Sequence, residues 1–223
     1  MANSKNSAQQ GSKVFAISIS VVAILMVAVV VFTVMANKKP EGKKGKIEVS
    51  PIATAVASSV DGTTGPEKIA PIPESGADTE IGKVVPTINA QNFNGEDVTI
   101  APGKPYVLAF IAHWCPHCQR EVPLIVGLHN DNKLPADVEF YGIATSTDEK
   151  RPNYPPSKWL SKEEWPWKTV ADDKTNTLLD KFGGAGFPYL IYVNADGTIA
   201  SRTSGEQEEQ TIIDNAKAIS QTK

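Results

Sequence analysis

The stretch Tyr106–Cys118, with the sequence YVLAFIAHWCPHC, decides the fold of this chain. Its first seven residues are all apolar, which predicts a short central strand over Tyr106–Ala112 that is buried on both faces. A helix is predicted to follow from about Pro116 to Asn130, since proline suits the first turn of a helix. The sequence therefore places Cys115 where a strand gives way to a helix N-terminus.

The two cysteines of this stretch are the only ones among the 223 residues. A thiol at a helix N-terminus lies near unpaired N–H groups and the positive end of the helix dipole, and both favour the thiolate. Cys115 is therefore the predicted nucleophile. The two-residue spacing brings Cys118 round by one turn, close enough to form a disulfide and to resolve a mixed disulfide. The alternative, half of a structural zinc site, lacks a second ligand pair.

Short apolar and amphipathic segments alternate through the rest of the C-terminal region. Strands are predicted over Val138–Thr145, Lys168–Ala171, Tyr189–Asn194 and Thr198–Thr203, and helices over Ser157–Glu164, Thr175–Phe182 and Glu206–Ser220. The last two strands form a hairpin on Asp196-Gly197, a strong turn signal. A βαβ unit followed by a helix and a hairpin predicts an α/β fold with a central mixed sheet flanked by helices, over residues 81–223.

Several motifs in a fixed order make this region resemble the thioredoxin superfamily, and particularly its membrane-tethered TlpA/ResA-type branch of thiol–disulfide oxidoreductases. The resemblance covers about residues 81–220 and rests on Ile81-Gly82-Lys83, Pro86, the Trp114–Cys118 motif, Glu121, Pro123 and Gly186-Phe187-Pro188. It implies a thioredoxin-like fold in which Pro188 is a cis-proline that faces the disulfide and pairs its backbone with the substrate. Phe187 is bulkier than the family's usual residue there, so we expect it to contact substrate and alter which partners dock.

The residues around the cysteines indicate opposite redox directions. Pro116 and His117 form the dipeptide of DsbA-like oxidants, and His117 with Trp114 is expected to tune the Cys115 thiolate. Stabilising the reduced form makes a disulfide more oxidising. The TlpA/ResA resemblance instead implies a reductant that serves dedicated partners, such as those of cytochrome c maturation. The sequence thus leaves the direction of electron transfer open.

Glu121, three residues after Cys118, is a further candidate for tuning the thiols. Thioredoxins carry a buried acid six residues before the first cysteine, where this sequence has Ala109. Glu121 matches a glutamate of the family and could act in its place, by tuning a thiol pKa or by contacting substrate. The alternative is an ordinary solvated charge on the helix surface.

The N-terminal region has a different composition. Residues 1–13 form a short polar tail, and the apolar run Val14–Ala36 contains no charged residue. At about 1.5 Å per residue this run can cross a bilayer core of about 30 Å, which predicts a single transmembrane helix that acts as a signal anchor. A cleaved signal peptide is the alternative. Residues 37–80 are rich in Pro, Ala, Ser, Thr and Gly and predict a flexible linker.

The lysines beside the apolar run give conflicting indications of topology. Two precede the run and five follow it, at positions 5 and 13 and at 38, 39, 43, 44 and 46. The positive-inside bias taken alone would keep the C-terminal region in the cytoplasm. A short tail that carries Lys13 is also typical of a signal anchor. We expect a single-pass protein of the cell membrane with its catalytic domain outside the cytoplasm.

The predicted activity is therefore disulfide exchange with protein substrates, with a membrane redox partner that recycles the cysteines. We expect no cofactor beyond the redox-active disulfide Cys115–Cys118, and no resident metal. The alternative is a copper-binding redox metallochaperone that uses both thiols with His113 or His117. A net charge of −3 disfavours a nucleic-acid partner, because neutralising phosphates requires a basic surface.

Overall fold

The computed structural model describes residues 59–61 and 68–220. Its strands are β1 (Ser59–Asp61), β2 (Thr87–Gln91), β3 (Asp97–Ile100), β4 (Tyr106–Ile111), β5 (Glu139–Ala144), β6 (Thr169–Ala171), β7 (Tyr189–Val193) and β8 (Ile199–Ser204). Its helices are α1 (Pro116–Asn130), α2 (Pro156–Lys162), α3 (Thr177–Lys181) and α4 (Glu209–Ser220). The strands and helices predicted from Tyr106 onward are all present, with ends shifted by a few residues.

The central sheet of the described region has five strands in the order β6-β5-β4-β7-β8. Strands β4, β5 and β6 run parallel to one another, whereas β7 is antiparallel to both β4 and β8. Parallel neighbours need a crossover, and α1 supplies the one between β4 and β5. This mixed sheet with helices confirms the predicted thioredoxin-like α/β fold.

Strand β4 lies at the centre of the sheet and is buried along its whole length. Its alternate side chains belong to two separate apolar clusters. Val107 and Ile111 pack in the cluster that includes the apolar faces of α1 and α4. Leu108 and Phe110 pack on the opposite face, in the cluster that includes β2, β3 and α3. Full burial of each such side chain contributes about 1.5–3 kcal/mol, so the continuous apolar run fixes β4 as the middle strand.

A second, three-stranded sheet in the order β1-β2-β3 was not predicted from the sequence. Strands β2 and β3 form an antiparallel hairpin, and β1 pairs antiparallel with β2. The hairpin turn contains Asn94 and Gly95, and Gly95 has a φ of 78°. Asn-Gly is a recognised hairpin signal, so this dipeptide could have revealed the turn. Strand β1 lies within the predicted linker, residues 37–80.

Residues 68–80, which we call the N-terminal strap, pack against the domain ahead of Ile81, where the sequence prediction placed its start. Ile69 is completely buried and its N–H donates to the carbonyl oxygen of Lys181 over 2.7 Å. Arg202 on β8 donates to the carboxylate of Asp78 and to the carbonyl oxygen of Ala70. The compact region therefore includes the strap.

The predicted polar tail, the predicted transmembrane segment 14–36 and most of the predicted linker lie outside the described residues. Within residues 59–61 and 68–220, no helix has both the length and the apolar character needed to cross a membrane.

Candidate active site

Cys115 lies at the N-cap of α1, directly after the buried strand β4. Its φ of −75° and ψ of 122° are extended, and Pro116 occupies the first helical turn. The Cys115 N–H donates to the carbonyl oxygen of Ala112 over 2.9 Å, which closes the turn between strand and helix. Both cysteines are free thiols and buried, with 6% of Cys115 and 0% of Cys118 exposed. Cys115 therefore lies between a strand and a helix, as the sequence predicted.

The Cys118 thiol lies deeper than Cys115. Burial raises the pKa of Cys118 well above its ordinary value, and the neighbouring Cys115 and Glu121 raise it further. A hydrogen bond with the backbone of Ala112 offsets only part of this increase. Cys118 is consequently held as a neutral thiol, so it needs a proton acceptor before it can attack a disulfide.

The segment Gly186–Pro188 faces the first cysteine from the start of β7. The Phe187–Pro188 peptide bond is cis, as the family resemblance implied. The Cys115 Sγ atom lies 3.9 Å from the carbonyl oxygen of Phe187. The carbonyl oxygen of Pro188 accepts a hydrogen bond from Gly205 N–H, so this segment is fixed to the end of β8. The fold thus brings together Cys115, Phe187 and Pro188.

Trp114 forms one wall of the site. Its ring makes an edge-on contact with the Phe187 ring, with centroids 6.1 Å apart. Its indole N–H donates to the carbonyl oxygen of Ser146 over 2.7 Å, and the Arg151 guanidinium lies 4.1 Å from its ring centroid. These contacts hold the indole in one orientation. Sequence reasoning did not identify Arg151, because it lies in a loop remote from the cysteines.

A buried polar network supports this wall. The loop that contains Ser146 is held in place by a hydrogen bond, which the Ser146 N–H donates to the side-chain oxygen of Asn176 over 2.8 Å. The adjacent Thr145 hydroxyl donates to the Asp172 carboxylate over 2.8 Å. Burial raises the pKa of Asp172, while hydrogen bonds from Thr145 and from the N–H groups of Leu178 and Asp173 oppose that increase. Sequence reasoning did not identify Asp172 as part of this network either.

Glu121 is completely buried, which excludes the alternative of a solvated helix charge. One carboxylate oxygen, Oε2, accepts a hydrogen bond from Gln207 N–H, and the other, Oε1, has no partner among the described residues. Burial raises the pKa of Glu121 to about 7, against the opposing effect of the Gln207 hydrogen bond. A carboxyl group with a pKa near neutrality can both accept and return a proton at physiological pH.

His117 is exposed beside the cysteines and contacts two charged residues that the sequence did not indicate. Its Nδ1 atom lies 2.9 Å from Oε2 of Glu206 and 2.9 Å from Nη2 of Arg120. The Arg120 Nε atom donates to both carboxylate oxygens of Glu206, over 2.8 and 3.0 Å. Glu206 lies beyond the end of β8, 86 positions from Arg120, so no local pattern connects them.

His113 is buried and both of its ring nitrogens are engaged. Its Nδ1 atom lies 2.7 Å from the carbonyl oxygen of Pro152, and its Nε2 atom accepts a hydrogen bond from Asp148 N–H over 3.2 Å. Burial lowers the pKa of His113, which agrees with a neutral ring that donates through Nδ1. A ring fixed in this way presents no free nitrogen, so His113 does not fit the copper-binding alternative.

Comparison with known proteins places these features in a family. The sequence profile of the AhpC/TSA family matches residues 81–202, which is more than half of the chain. The chain belongs to the AhpC/TSA family. The match begins at Ile81, the first residue of the motifs that gave the thioredoxin resemblance, and it includes Cys115, Cys118 and Pro188.

Three curated relatives of this family member are similar to it over 59–63% of the chain. Thiol-disulfide oxidoreductase ResA of Bacillus thuringiensis subsp. konkukian is 27% identical over 143 residues, which cover 63% of this chain and 79% of ResA. HelX of Rhodobacter capsulatus, a thiol:disulfide interchange protein, is 26% identical and covers 59% and 72%. DsbE of Haemophilus influenzae, also an interchange protein, is 28% identical and covers 62% and 74%. These relatives confirm the predicted enzyme class, thiol–disulfide oxidoreductase.

Solved structures agree with the fold. DsbF of Mycobacterium tuberculosis, solved in mixed oxidised and reduced forms, superposes with a TM-score of 0.50 at 25% identity and covers 59% of this chain and 93% of DsbF. The thioredoxin domain of a thiol-disulfide oxidoreductase from Bacteroides vulgatus superposes with a TM-score of 0.50 at 22% identity, covering 65% and 99%. The second likeness supports the fold alone.

Proposed function

We propose that this family member is a membrane-tethered, extracytoplasmic thiol–disulfide oxidoreductase that exchanges disulfides with protein substrates through Cys115 and Cys118. The observation that carries the proposal is the position of Cys115 at the N-terminus of α1, with its sulfur beside the Phe187 carbonyl and a neutral thiol, Cys118, one turn behind it. The two cysteines hold and release both electrons, so the exchange requires no bound cofactor.

In the reducing direction, the Cys115 thiolate attacks one sulfur of a substrate disulfide. A bond forms between Cys115 and that sulfur, and the other substrate sulfur leaves as a thiolate that takes a proton. Cys118 then loses its proton and attacks Cys115, which releases the second substrate thiolate and leaves the Cys115–Cys118 disulfide. Two electrons have passed to the substrate, and the oxidising direction is the reverse.

Glu121 is the proposed acceptor of the Cys118 proton. It lies on the same face of α1, its charge raises the pKa of Cys118, and its Oε1 atom is unpartnered among the described residues. Its own pKa of about 7 allows it to take the proton and later return it. The hydrogen bond from Gln207 N–H to Oε2 keeps the carboxylate in place.

The proposed substrate groove is lined by Trp114, Phe187 and Pro188. The indole is held by Ser146 and Arg151, and its edge-on contact with Phe187 presents two aromatic rings next to the sulfur. A substrate chain in extended conformation would lie across Phe187–Pro188, as the family resemblance implies, and would bring its disulfide to Cys115. In this arrangement Trp114 and Pro116, which carry no charge, tune the Cys115 thiolate only through their positions on either side of it.

The tether is the proposed transmembrane segment Val14–Ala36, and a membrane redox partner that carries a dithiol or a disulfide would recycle the cysteines. The apolar length of the segment and the exchange chemistry of the domain support this arrangement.

Extraction of membranes at alkaline pH tests the tether, since an integral protein stays in the pellet. Labelling of Cys115 in whole cells by a membrane-impermeant maleimide tests the placement, and labelling only after lysis would contradict it.

Trapping of the mixed disulfide tests the assignment of the two cysteines. Cys118→Ser should accumulate a covalent adduct with a disulfide-containing protein such as insulin, because Cys115 attacks and nothing resolves the bond. Cys115→Ser should form no adduct and should not reduce insulin, while its circular dichroism spectrum matches that of the parent. Insulin reduction by Cys115→Ser at the rate of the parent would overturn the assignment.

A further inference from the structure

An exposed ion cluster lies beside the nucleophilic cysteine and consists of His117, Arg120 and Glu206; we call it the His117 cluster. The side chains of His117 and Arg120 are 56% and 55% exposed, whereas that of Glu206 is 33% exposed. Glu206 accepts hydrogen bonds from Arg120 Nε and Nη2, and its Oε2 atom contacts Nδ1 of His117. One carboxylate therefore binds both basic side chains that adjoin the cysteine motif.

The orientation of His117 in this cluster differs from the one that the sequence suggests. A CPHC motif alone would lead to a histidine that contacts the Cys115 thiolate. Here the Nδ1 atom of His117 contacts Glu206 and Arg120, and the hydrogen bond of the Cys115 thiol is made to the Phe187 carbonyl. When Nδ1 carries a proton it donates to Glu206, and when it does not it accepts from Arg120, so the ring is held in both states.

The charges of the cluster act on the thiolate. The hydrogen bond to Glu206 is the main reason that the pKa of Arg120 is raised, and the negative charge of Cys115 adds a smaller contribution, so the guanidinium and the sulfur interact electrostatically. Hydrogen bonds from Arg120 and His117 hold the pKa of Glu206 at about 2, so its carboxylate is charged throughout the physiological range. A cation near a thiolate stabilises the reduced pair and makes the disulfide more oxidising. A fixed carboxylate beside that cation has the opposite effect.

We infer that Glu206 is a positioning residue that holds His117 away from Cys115, offsets the charge of Arg120 and lowers the reduction potential of the Cys115–Cys118 pair. A CPHC motif, which is typical of oxidants, thereby functions in a protein that reduces its substrates. This inference rests on the proposed disulfide exchange and gives it a direction. The reduced pair passes two electrons to a substrate disulfide and becomes a disulfide, and a dithiol of the recycling partner restores both thiols.

The test compares Glu206→Gln with Glu208→Gln in the full chain, purified in mild detergent and equilibrated with glutathione buffers. Glu208 is exposed two residues further on, so its variant makes the same charge change away from the cluster. Glutamine keeps the size and acceptor oxygen of the glutamate but removes its charge. We expect the equilibrium constant for reduction of Cys115–Cys118 to increase about fivefold in Glu206→Gln, which is about 20 mV in potential. We expect no change in Glu208→Gln.

Two further measurements separate an electrostatic effect from a structural one. In about 1 M salt the screening length falls to about 3 Å, so the difference between Glu206→Gln and the parent should shrink. Adding His117→Ala to Glu206→Gln should remove part of the increase, because the released imidazole produces one part of it and the uncompensated charge of Arg120 produces the rest. An unchanged constant in Glu206→Gln, or a change equal to that of Glu208→Gln, would overturn the inference.

Insulin reduction by the same proteins distinguishes this failure from failure of the proposed function. A parent chain that reduces insulin while Glu206→Gln leaves the potential unmoved contradicts only the role of Glu206. A parent chain that reduces no disulfide contradicts the proposed exchange and the inference with it. A pair in the parent that is as oxidising as that of DsbA would contradict the reductant direction, whereas a pair that is as reducing as that of thioredoxin would support it.

Discussion

Asp78 and Arg202 form an ion pair across 124 positions of sequence, with Nε of Arg202 2.8 Å from Oδ2 of Asp78. The Arg202 side chain is completely buried and that of Asp78 is 17% exposed. Removing one partner of a buried pair leaves an unpaired charge away from water. We expect Asp78→Asn to lower the free energy of unfolding by about 2–3 kcal/mol, measured by urea denaturation followed by tryptophan fluorescence.

Asp180→Asn is the matched control for this prediction. Asp180 pairs with Lys68 at the other end of the N-terminal strap, and their side chains are 68% and 54% exposed. Exposed pairs contribute little to stability, so this variant should unfold close to the parent midpoint. Equal destabilisation by both substitutions would show that the strap is not fixed by Arg202.

Gly183 lies where the strap crosses the end of α3. Its φ is +70°, and a Cβ atom there would lie 2.6 Å from the carbonyl oxygen of Ala70. Gly183→Ala therefore adds a backbone clash to the ordinary cost of a left-handed alanine. Gly95→Ala supplies the control, because Gly95 has a φ of +78° and open space around it. We expect about 1 kcal/mol of destabilisation in Gly95→Ala, and about 1–2 kcal/mol more in Gly183→Ala. Equal midpoints of thermal denaturation for Gly183→Ala and Gly95→Ala would contradict the predicted clash.

Glu121 should make stability depend on pH. Folding raises its pKa from 4.5 to about 7, so the folded state holds this proton more tightly than the unfolded chain does. Ionisation therefore costs stability: the penalty is absent below pH 4.5, grows as the pH rises to 7, and is complete above pH 7. At pH 8, Glu121→Gln should be more stable than the parent by about 3 kcal/mol, and at pH 4 the two should be nearly equal.

Urea unfolding curves at pH 4, 6 and 8 measure this difference. Glu208→Gln, which changes an exposed carboxylate, should follow the parent at each pH. A constant difference between Glu121→Gln and the parent across the three values would mean that Glu121 does not titrate between them, which would also remove it as acceptor of the Cys118 proton.

Asp172 should be essential for the stability of the loop behind Trp114. Its carboxylate accepts hydrogen bonds from Thr145 Oγ1 and from three backbone N–H groups, those of Asp173, Leu178 and Leu179. Asp172→Ala leaves several buried donors without partners and should cost about 3 kcal/mol, whereas Thr145→Val removes one donor and should cost about 1 kcal/mol. Thermal denaturation checks the order, and a smaller loss in Asp172→Ala than in Thr145→Val would contradict this account.

The features predicted well from the sequence are those with a local cause. The helix predicted from Pro116 to Asn130 has those bounds in the structure, because the apolar run before it and Pro116 in its first turn both mark its start. The hairpin of β7 and β8 follows in the same way from Asp196-Gly197. The position of Cys115 at the start of this helix was predicted from the same local signals.

The features that the sequence did not reveal depend on distant partners. Ile69 is one apolar residue in a polar region, and only its position against Lys181 and the core of the domain explains its burial. Glu206 resembles any surface carboxylate until the fold brings it to Arg120 and His117. Burial of Glu121 likewise depends on the segment around Gln207, which closes over it from the far end of the domain.

The burial of Cys115 affects how fast its thiol reacts with different oxidants. With 6% of its surface exposed and its sulfur beside the Phe187 carbonyl, the residue offers small oxidants in solution very little area to strike. Thiol reactivity depends on access as well as on ionisation. Under the proposed function, a partner bound along Trp114 and Phe187 would bring its disulfide directly to the sulfur, whereas peroxide and free glutathione would have to react through this small exposed area. We therefore expect the pair to react more slowly with small oxidants than with a bound partner, and to keep its electrons for longer between encounters with partners.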